Sequence, residues 1–130
     1  MIADTSFLVD LLRGKPRARE TLEEIEGSGA TLWLPTPALF ELWEGVERGD
    51  RPHEEAQKVR DVLAKYTMIP FGPDHAERSG RLSGDLARRG RMLDDLDAQI
   101  AGIALVEGQP VLTGNQKDFE RVPGLKVVAY

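Results

Sequence analysis

Residues 94–119 read DDLDAQIAGIALVEGQPVLTGNQKDF, and their interpretation decides the fold. Three carboxylates, Asp94, Asp95 and Asp97, precede a run from Ala98 to Val106 in which Gln99 is the only polar side chain. A helix without a polar face belongs inside a protein, and nine residues are far too few for a bilayer span of about 20. Ala98, Ala101, Gly102 and Ala104 are small, so a neighbouring element can approach the backbone closely. Gly108 stops the helix. The chain then enters a short strand, Pro110 to Thr113, beyond which stand Asn115 and Asp118. Acids thus lie before a buried helix and after a buried strand, at what can be one end of a sheet. Open α/β folds bind their ligands at such an end. Asp94, Asp95 and Asp97 also suit a helix N-terminus, where they cap it and complement its dipole; Asp94 and Asp95 are assigned that role.

Working outward, the same alternation recurs. Met1 to Asp4 is a short strand leading into a helix with Leu8, Leu11 and Leu12, ended by Gly14. A second helix follows Pro16, with Ala18, Leu22 and Ile25 at helical spacing. The strand Ala30 to Leu34 leads to Thr36-Pro37, a helix start with Thr as cap. Along that helix Ala38, Leu39, Leu42, Trp43 and Val46 form the apolar stripe. Glu41 lies off its centre, and periodicity alone makes it a solvated residue. Pro52 opens a fourth helix with Ala56, Val59, Leu63 and Tyr66 inward, followed by the strand Thr67 to Phe71. Pro73 opens a fifth, running to about Arg89, with Ala76, Leu82, Ser83 and Leu86 inward. A last strand, Lys126 to Tyr130, follows the Pro123-Gly124 turn. Strands separated by helices pair in parallel, with helices on both faces. The expected architecture is one α/β domain over residues 1–130, a three-layer α/β/α arrangement around a central parallel sheet of about five short strands.

Composition bounds the chemistry. With 130 residues, 41% hydrophobic and 30% charged, the chain is expected to be one soluble domain without a membrane helix, placed in the cytoplasm. There is no cysteine, which removes disulfides, thiolate zinc sites and Cys nucleophiles together. The net charge of -5 argues against holding nucleic acid by overall electrostatics, though not against a metal with a local basic patch. No glycine-rich phosphate loop occurs. His53 and His75 belong to no metal or nucleophile pattern and read as solvated surface residues.

Asp4, Asp97 and Asp118 can each be placed near the carboxyl end of the sheet, with Glu41 after a strand ending in the same region. Carboxylates packed together do not all stay ionised without a cation. The cluster therefore predicts Mg²⁺ or Mn²⁺ bound by a few carboxylates and water, and phosphodiester hydrolysis as the reaction. Arg78, Arg81, Arg88, Arg89 and Arg91 gather just before the acidic segment and are candidates to grip phosphates. The alternative for each is a solvated helix face balanced by Glu77 and Asp85. An aspartyl-phosphate route through Asp4 is a further alternative, although the sequence lacks the second Asp two residues on.

Four stretches in chain order carry a family resemblance: Asp4-Thr5-Ser6, Glu41-Leu42-Trp43-Glu44-Gly45, Asp97-Ala98-Gln99-Ile100-Ala101, and Thr113-Gly114-Asn115-Gln116-Lys117-Asp118-Phe119. They resemble the motifs of the PIN-domain ribonucleases, and among them the VapC-type toxins of toxin-antitoxin pairs. The resemblance implies catalytic roles for Asp4, Glu41, Asp97 and Asp118, with metal held by Asp4, Asp97 and Asp118. It implies supporting roles for Ser6, Thr113 and Asn115, with Ser6 bonding a metal-bound water and Thr113 and Asn115 orienting water or phosphate. Whether Asn115 or Asp118 fills the fourth acidic position stays open, and Gly114 stands where relatives often have Arg. The resemblance further implies a homodimer, cleavage of tRNA or rRNA, and silencing by a small VapB-type antitoxin. A PIN-like binding module without catalysis and another metal-dependent phosphohydrolase are the competing readings.

Overall fold

The computed structural model describes residues 1–130. Five short strands, β1 (Ile2–Ala3), β2 (Trp33–Pro35), β3 (Thr67–Ile69), β4 (Val111–Thr113) and β5 (Val127–Ala129), form one sheet in the order β3-β2-β1-β4-β5. Every pairing is parallel. The connections are helical: α1 (Thr5–Leu12) and α2 (Pro16–Gly27), α3 (Thr36–Arg48) and α4 (Pro52–Leu63), α5 (Pro73–Arg88) and α6 (Asp95–Glu107), and the short α7 (Gln116–Glu120). The α/β expectation holds, with five parallel strands flanked by helices. No helix is long and apolar enough to cross a membrane.

The topology places the centre of the molecule at its first strand. From β1 the chain moves outward to β2 and β3, then returns past β1 to β4 and β5. The order reverses between β1 and β4, and that switch point is where a parallel sheet leaves a crevice at its carboxyl edge. Ala3 pairs with Leu112, so Asp4 and Thr113 are the next residues off the two strands. The Asp4 amide donates to the Leu112 carbonyl at 2.9 Å, which keeps the register one residue beyond the strands.

The helix from Asp95 is buried as its composition requires. Ala98, Ile100, Ala101, Gly102, Ile103 and Ala104 are all enclosed, and Gly108 ends the helix in the left-handed conformation at φ 63°. Its main neighbour is α5, and the contact explains the glycine at 102. A Cβ there would stand 1.8 Å from Ser79 Oγ and 3.0 Å from the Ser79 Cα. Ser79 therefore fills the space that Gly102 leaves. Its hydroxyl is buried and has no hydrogen-bond partner.

Several local expectations are corrected. The second strand begins at Trp33 rather than Ala30 and runs to Pro35. Thr36 is inside α3 rather than its cap, because its hydroxyl instead accepts from the Phe71 amide at 3.0 Å, tying α3 to the segment after β3. Tyr66 lies beyond α4 and donates to Glu26 at 3.0 Å. On α5 the inward stripe is His75, Ser79, Leu82 and Leu86, and Ala76 faces solvent. His53 is exposed, but His75 is buried. The His75 Nδ1 accepts from the Gly72 amide at 2.9 Å, which leaves Nε2 to carry the proton and donate to Glu107 at 2.8 Å. This histidine joins the start of α5 to the end of α6.

The α5/α6 seam yields an ordered pair of expected outcomes in thermal melting. Ser79→Ala removes an unpaired buried hydroxyl and raises Tm by about 3 °C. Gly102→Ala forces a methyl group against the Ser79 backbone, costs roughly 1–3 kcal/mol and lowers Tm. Equal or reversed shifts in the two variants would contradict this account of the seam.

Candidate active site

The crevice at the switch point is lined by acids from three separate helices or helix starts. Asp4 leaves β1 and caps α1, its Oδ1 accepting from the Thr5 amide at 2.7 Å. Its Oδ2 accepts from Thr113 Oγ1 at 2.7 Å and from Ser6 Oγ at 2.9 Å. With 2% of its surface exposed, Asp4 is an almost fully buried carboxylate held by three donors. Charged acceptors bound in this way are fixed in place, since charge-assisted bonds are short and strong.

Glu41 reaches the same crevice from α3. Thr5 Oγ1 donates to its Oε1 at 2.7 Å. Its position off the apolar stripe turns it toward α1 rather than to open solvent. Burial pushes its carboxyl above the usual range, the Thr5 bond opposes that, and the charge of Asp4 adds to it.

Asp97 is the least compensated acid. It sits in the first turn of α6, behind the Asp94 cap whose side chain accepts from the Leu96 amide at 3.2 Å. Glu41, Asp4 and Asp97 all line one open cleft of about 390 Å³ together with Ser6 and Asn115. Asp97 receives no hydrogen bond from any protein donor, in contrast to Asp4. Burial first, and then the charges of Asp4, Asp94, Glu41 and Asp118, push its carboxyl up to about 7. A half-buried acid surrounded by four others is the arrangement that a cation relieves.

The structure separates the other expected residues into different roles. Thr113 is wholly buried. Its hydroxyl donates to Asp4 and accepts from the Asn115 amide at 2.8 Å, so it positions Asp4 and has no proton left to donate to phosphate. Ser6 likewise donates to Asp4 and accepts from the Gly114 amide at 3.0 Å. The Asn115 side chain faces the cleft and makes no protein hydrogen bond. Asp118 is one turn into α7, outside the cleft lining, and pairs with Arg121 at 3.3 Å. It acts on Asp97 through its charge.

None of the five arginines lines the cleft. Arg81 pairs with Glu77 at 3.4 Å, and Arg88 and Arg89 share Asp85 at 2.6 and 3.1 Å. Arg78 and Arg91 are exposed and carry no ion pair. Two polar cleft residues, Asp10 and Tyr130, lie outside every motif, and Thr5 lies within one that assigns it no role. Asp10 stands four residues after Ser6 and so on the same face of α1, a spacing visible in the sequence. Tyr130 comes from the chain beyond β5, and nothing local marks it. Its hydroxyl donates to Asp10 at 2.7 Å, and burial, with that bond, raises its pKa far above the ordinary phenol value.

As to a cation, the donor set is right in kind, being hard oxygens in mutual repulsion. No three carboxylates converge on one point as they stand. With Asp4 occupied by three donors, direct ligation falls to one or two carboxylates and water completes the shell, which is how Mg²⁺ is commonly bound.

The state of Asp97 has a measurable consequence. The folded protein holds this proton up to about pH 7, whereas an ordinary Asp releases it near 3.8. Ionising Asp97 therefore costs stability progressively between those values, and the cost is complete above the upper one. Asp97→Asn is expected to raise Tm at pH 8 by about 4 °C, with the gain fading toward pH 4. Millimolar Mg²⁺ should stabilise the parent chain more than the variant in the same melts. A gain independent of pH would show that the acid is not under this strain.

Comparison with known proteins agrees with this architecture. A family model described as PIN domain matches residues 1–125. Ribonuclease VapC19 of Mycobacterium tuberculosis is 33% identical over 129 residues, covering 96% of each chain. The tRNA(fMet)-specific endonuclease VapC of Shigella flexneri is 27% identical over 124 residues, covering 95% of this chain and 92% of that one. The solved structure of DNA-bound VapBC from Salmonella typhimurium matches with a TM-score of 0.90 at 25% identity, over 98% of this chain and 96% of that one. A five-stranded parallel sheet whose reversal point gathers Asp4, Glu41 and Asp97, matched along nearly its whole length by these relatives, belongs to the PIN-domain family and, within it, to the VapC group.

Proposed function

We propose that this protein is a divalent-metal-dependent endoribonuclease, the toxin of a toxin-antitoxin pair, that hydrolyses RNA phosphodiester bonds at the cleft between β1 and β4. The observation that carries the reading is Asp97: a half-buried carboxylate without a donor, facing Asp4 and Glu41, and raised to about 7 by burial and by their charges. Asp4 and Asp97 would hold Mg²⁺ or Mn²⁺ directly, with Glu41 and Asp118 acting on its water shell. Bound there, such an ion draws electron density from the scissile phosphate and makes the attacking water more acidic.

The chain's own groups divide the remaining work. Thr113 and Ser6 keep Asp4 in place, and Thr5 does the same for Glu41. Asn115 offers a free amide donor to a phosphate oxygen at the cleft edge. Water adds to phosphorus as the bond to the ribose oxygen breaks, and that oxygen leaves with a proton. Away from the cleft, Arg78 and Arg91 are the members of the arginine group with charge unshared by a carboxylate, so they are the better candidates for phosphate contacts.

Substrate and partner follow from the relatives. The Shigella flexneri relative is a tRNA(fMet)-specific endonuclease, which makes tRNA the first substrate to try and rRNA the second. The Salmonella typhimurium structure is a VapBC complex, which supports a VapB-type antitoxin as partner. We include a homodimer in the proposal on the strength of the family resemblance alone.

The test is cleavage of total tRNA and rRNA by the purified chain, free of any partner, with Mg²⁺ or Mn²⁺ and then with EDTA. Discrete fragments are expected, abolished by EDTA and reduced on the order of 100-fold or more in Asp97→Asn and Asp4→Asn. Intact RNA from a folded, metal-supplied protein, including RNA from its own host, would favour the binding-module reading. Cleavage that survives EDTA would remove the metal from the proposal.

A further inference from the structure

Two residues of the cleft have no place in the chemistry above. Asp10, on α1, and Tyr130, after β5, both line it. They meet in a 2.7 Å hydrogen bond from the phenol to Asp10 Oδ2. The ring is held edge-on against Phe7, with centroids 5.1 Å apart and an interplanar angle of 80°. Phe7 is wholly buried, so the tyrosine ring is anchored against the core while its hydroxyl reaches Asp10. That hydroxyl lies over the backbone of residue 114: a Cβ on Gly114 would be 3.1 Å from it and 3.6 Å from Ser6 Oγ.

Three of the acids in this cleft are held by protein donors, and Asp97 is not. Asp4 is held by Thr5, Ser6 and Thr113, and Glu41 by Thr5. Asp10 is the remaining acid with a donor, and that donor is Tyr130. A phosphodiester entering the cleft carries its own negative charge, so a carboxylate free to swing into its route repels it. It would also compete for the cation. Asp97 has to be open for the proposed reaction, whereas nothing in that reaction calls on Asp10.

We propose that Tyr130 is a positioning residue of the nuclease site: its hydroxyl holds Asp10 against the cleft wall, leaving the edge between Gly114 and Asn115 clear for the substrate phosphate. The inference rests on the ribonuclease reading. Gly114 belongs to the same device, since a Cβ there would stand 3.1 Å from the phenol oxygen and crowd it where it meets Asp10. Tyr130 acts through Asp10 and makes no demand on the reacting atoms. Its effect therefore falls on substrate binding more than on turnover.

The experiment is a two-residue cycle on the full chain, with kcat and KM measured on the RNA that the parent chain cuts, in Mg²⁺ or Mn²⁺. Tyr130→Phe keeps the ring on Phe7 and frees Asp10. Its KM is expected to rise roughly ten-fold, the lower end of what one lost charge-assisted hydrogen bond is worth, while kcat changes less. Asp10→Asn lowers KM. The double variant returns to the KM of Asp10→Asn, because without the charge there is nothing to restrain. A purely structural tyrosine would instead lose Tm, and Asp10→Asn would not rescue it. An unchanged KM in Tyr130→Phe, or a double variant as poor as Tyr130→Phe, overturns the proposal and leaves the ribonuclease reading standing. If Tyr130→Phe does not fold, a KM for Asp10→Asn at or above the parent's overturns it as well. A parent chain that cuts no RNA removes both.

Discussion

The hydrogen bond from Thr113 to Asp4 crosses the line where the sheet reverses direction, and the rest of the site depends on it. Neither residue can make it without the parallel pairing of β1 with β4, which puts positions 109 residues apart in sequence side by side. Burying a carboxylate costs several kcal/mol unless it is paired or hydrogen-bonded, and here three donors meet that requirement without a positive charge. The carboxylate therefore sits at the crevice held by neutral donors, with no cationic side chain bonded to it. Burial is the first cause of the rise at Asp97 and Glu41, and the charge of Asp4 adds to it at both, so the bond that fixes Asp4 bears on residues from two other helices.

The support for Asp97 is of a different kind. Its helix carries no polar face to fix its rotation by solvent, so rotation is fixed by packing alone. The closest restraint is the seam with α5, where Gly102 admits Ser79 to contact distance. The unpaired Ser79 hydroxyl shows that shape was favoured over polar satisfaction at this point. His75, bonded to Gly72 and Glu107, ties the same two helices nearer the far end of α6. Between them these contacts fix how α6, and with it the turn that carries Asp97, is set against α5.

How far the sequence can be read divides by range. The strands, the helices and the parallel sheet follow from periodicity and from glycine and proline punctuation, which act within a few residues. The acids Asp4 and Asp97 could be placed near the sheet's edge because each lies next to an element boundary. Glu41 could be placed there only by the strand before it and by the family motif, because a helical wheel counts distance from the apolar stripe and knows nothing of the Thr5 hydroxyl across the helix pair. The same limit hid Tyr130, whose partners Asp10, Phe7 and Gly114 are all more than ten residues away. Thr113 is the inverse case: the family resemblance suggested that it orients water or phosphate, and only the fold shows its hydroxyl donating to Asp4 and accepting from the Asn115 amide. His75 was read as surface because histidine is usually polar and exposed, whereas here two partners make burial tolerable.

The position of β1 in the sheet has a consequence for how the protein comes into being. This strand is the middle of the sheet, yet it is synthesised more than a hundred residues before β4, the neighbour that completes it. During translation the growing chain can form α1 to α4 and the β3-β2-β1 edge, but Asp4 has no Thr113 and Asp97 has not yet been made. Closing so distant a pair is slow and comes late in folding. A nascent chain thus has no assembled acidic crevice while it is still being decoded. The hazard of cutting RNA would begin only when nearly the whole domain is available to fold.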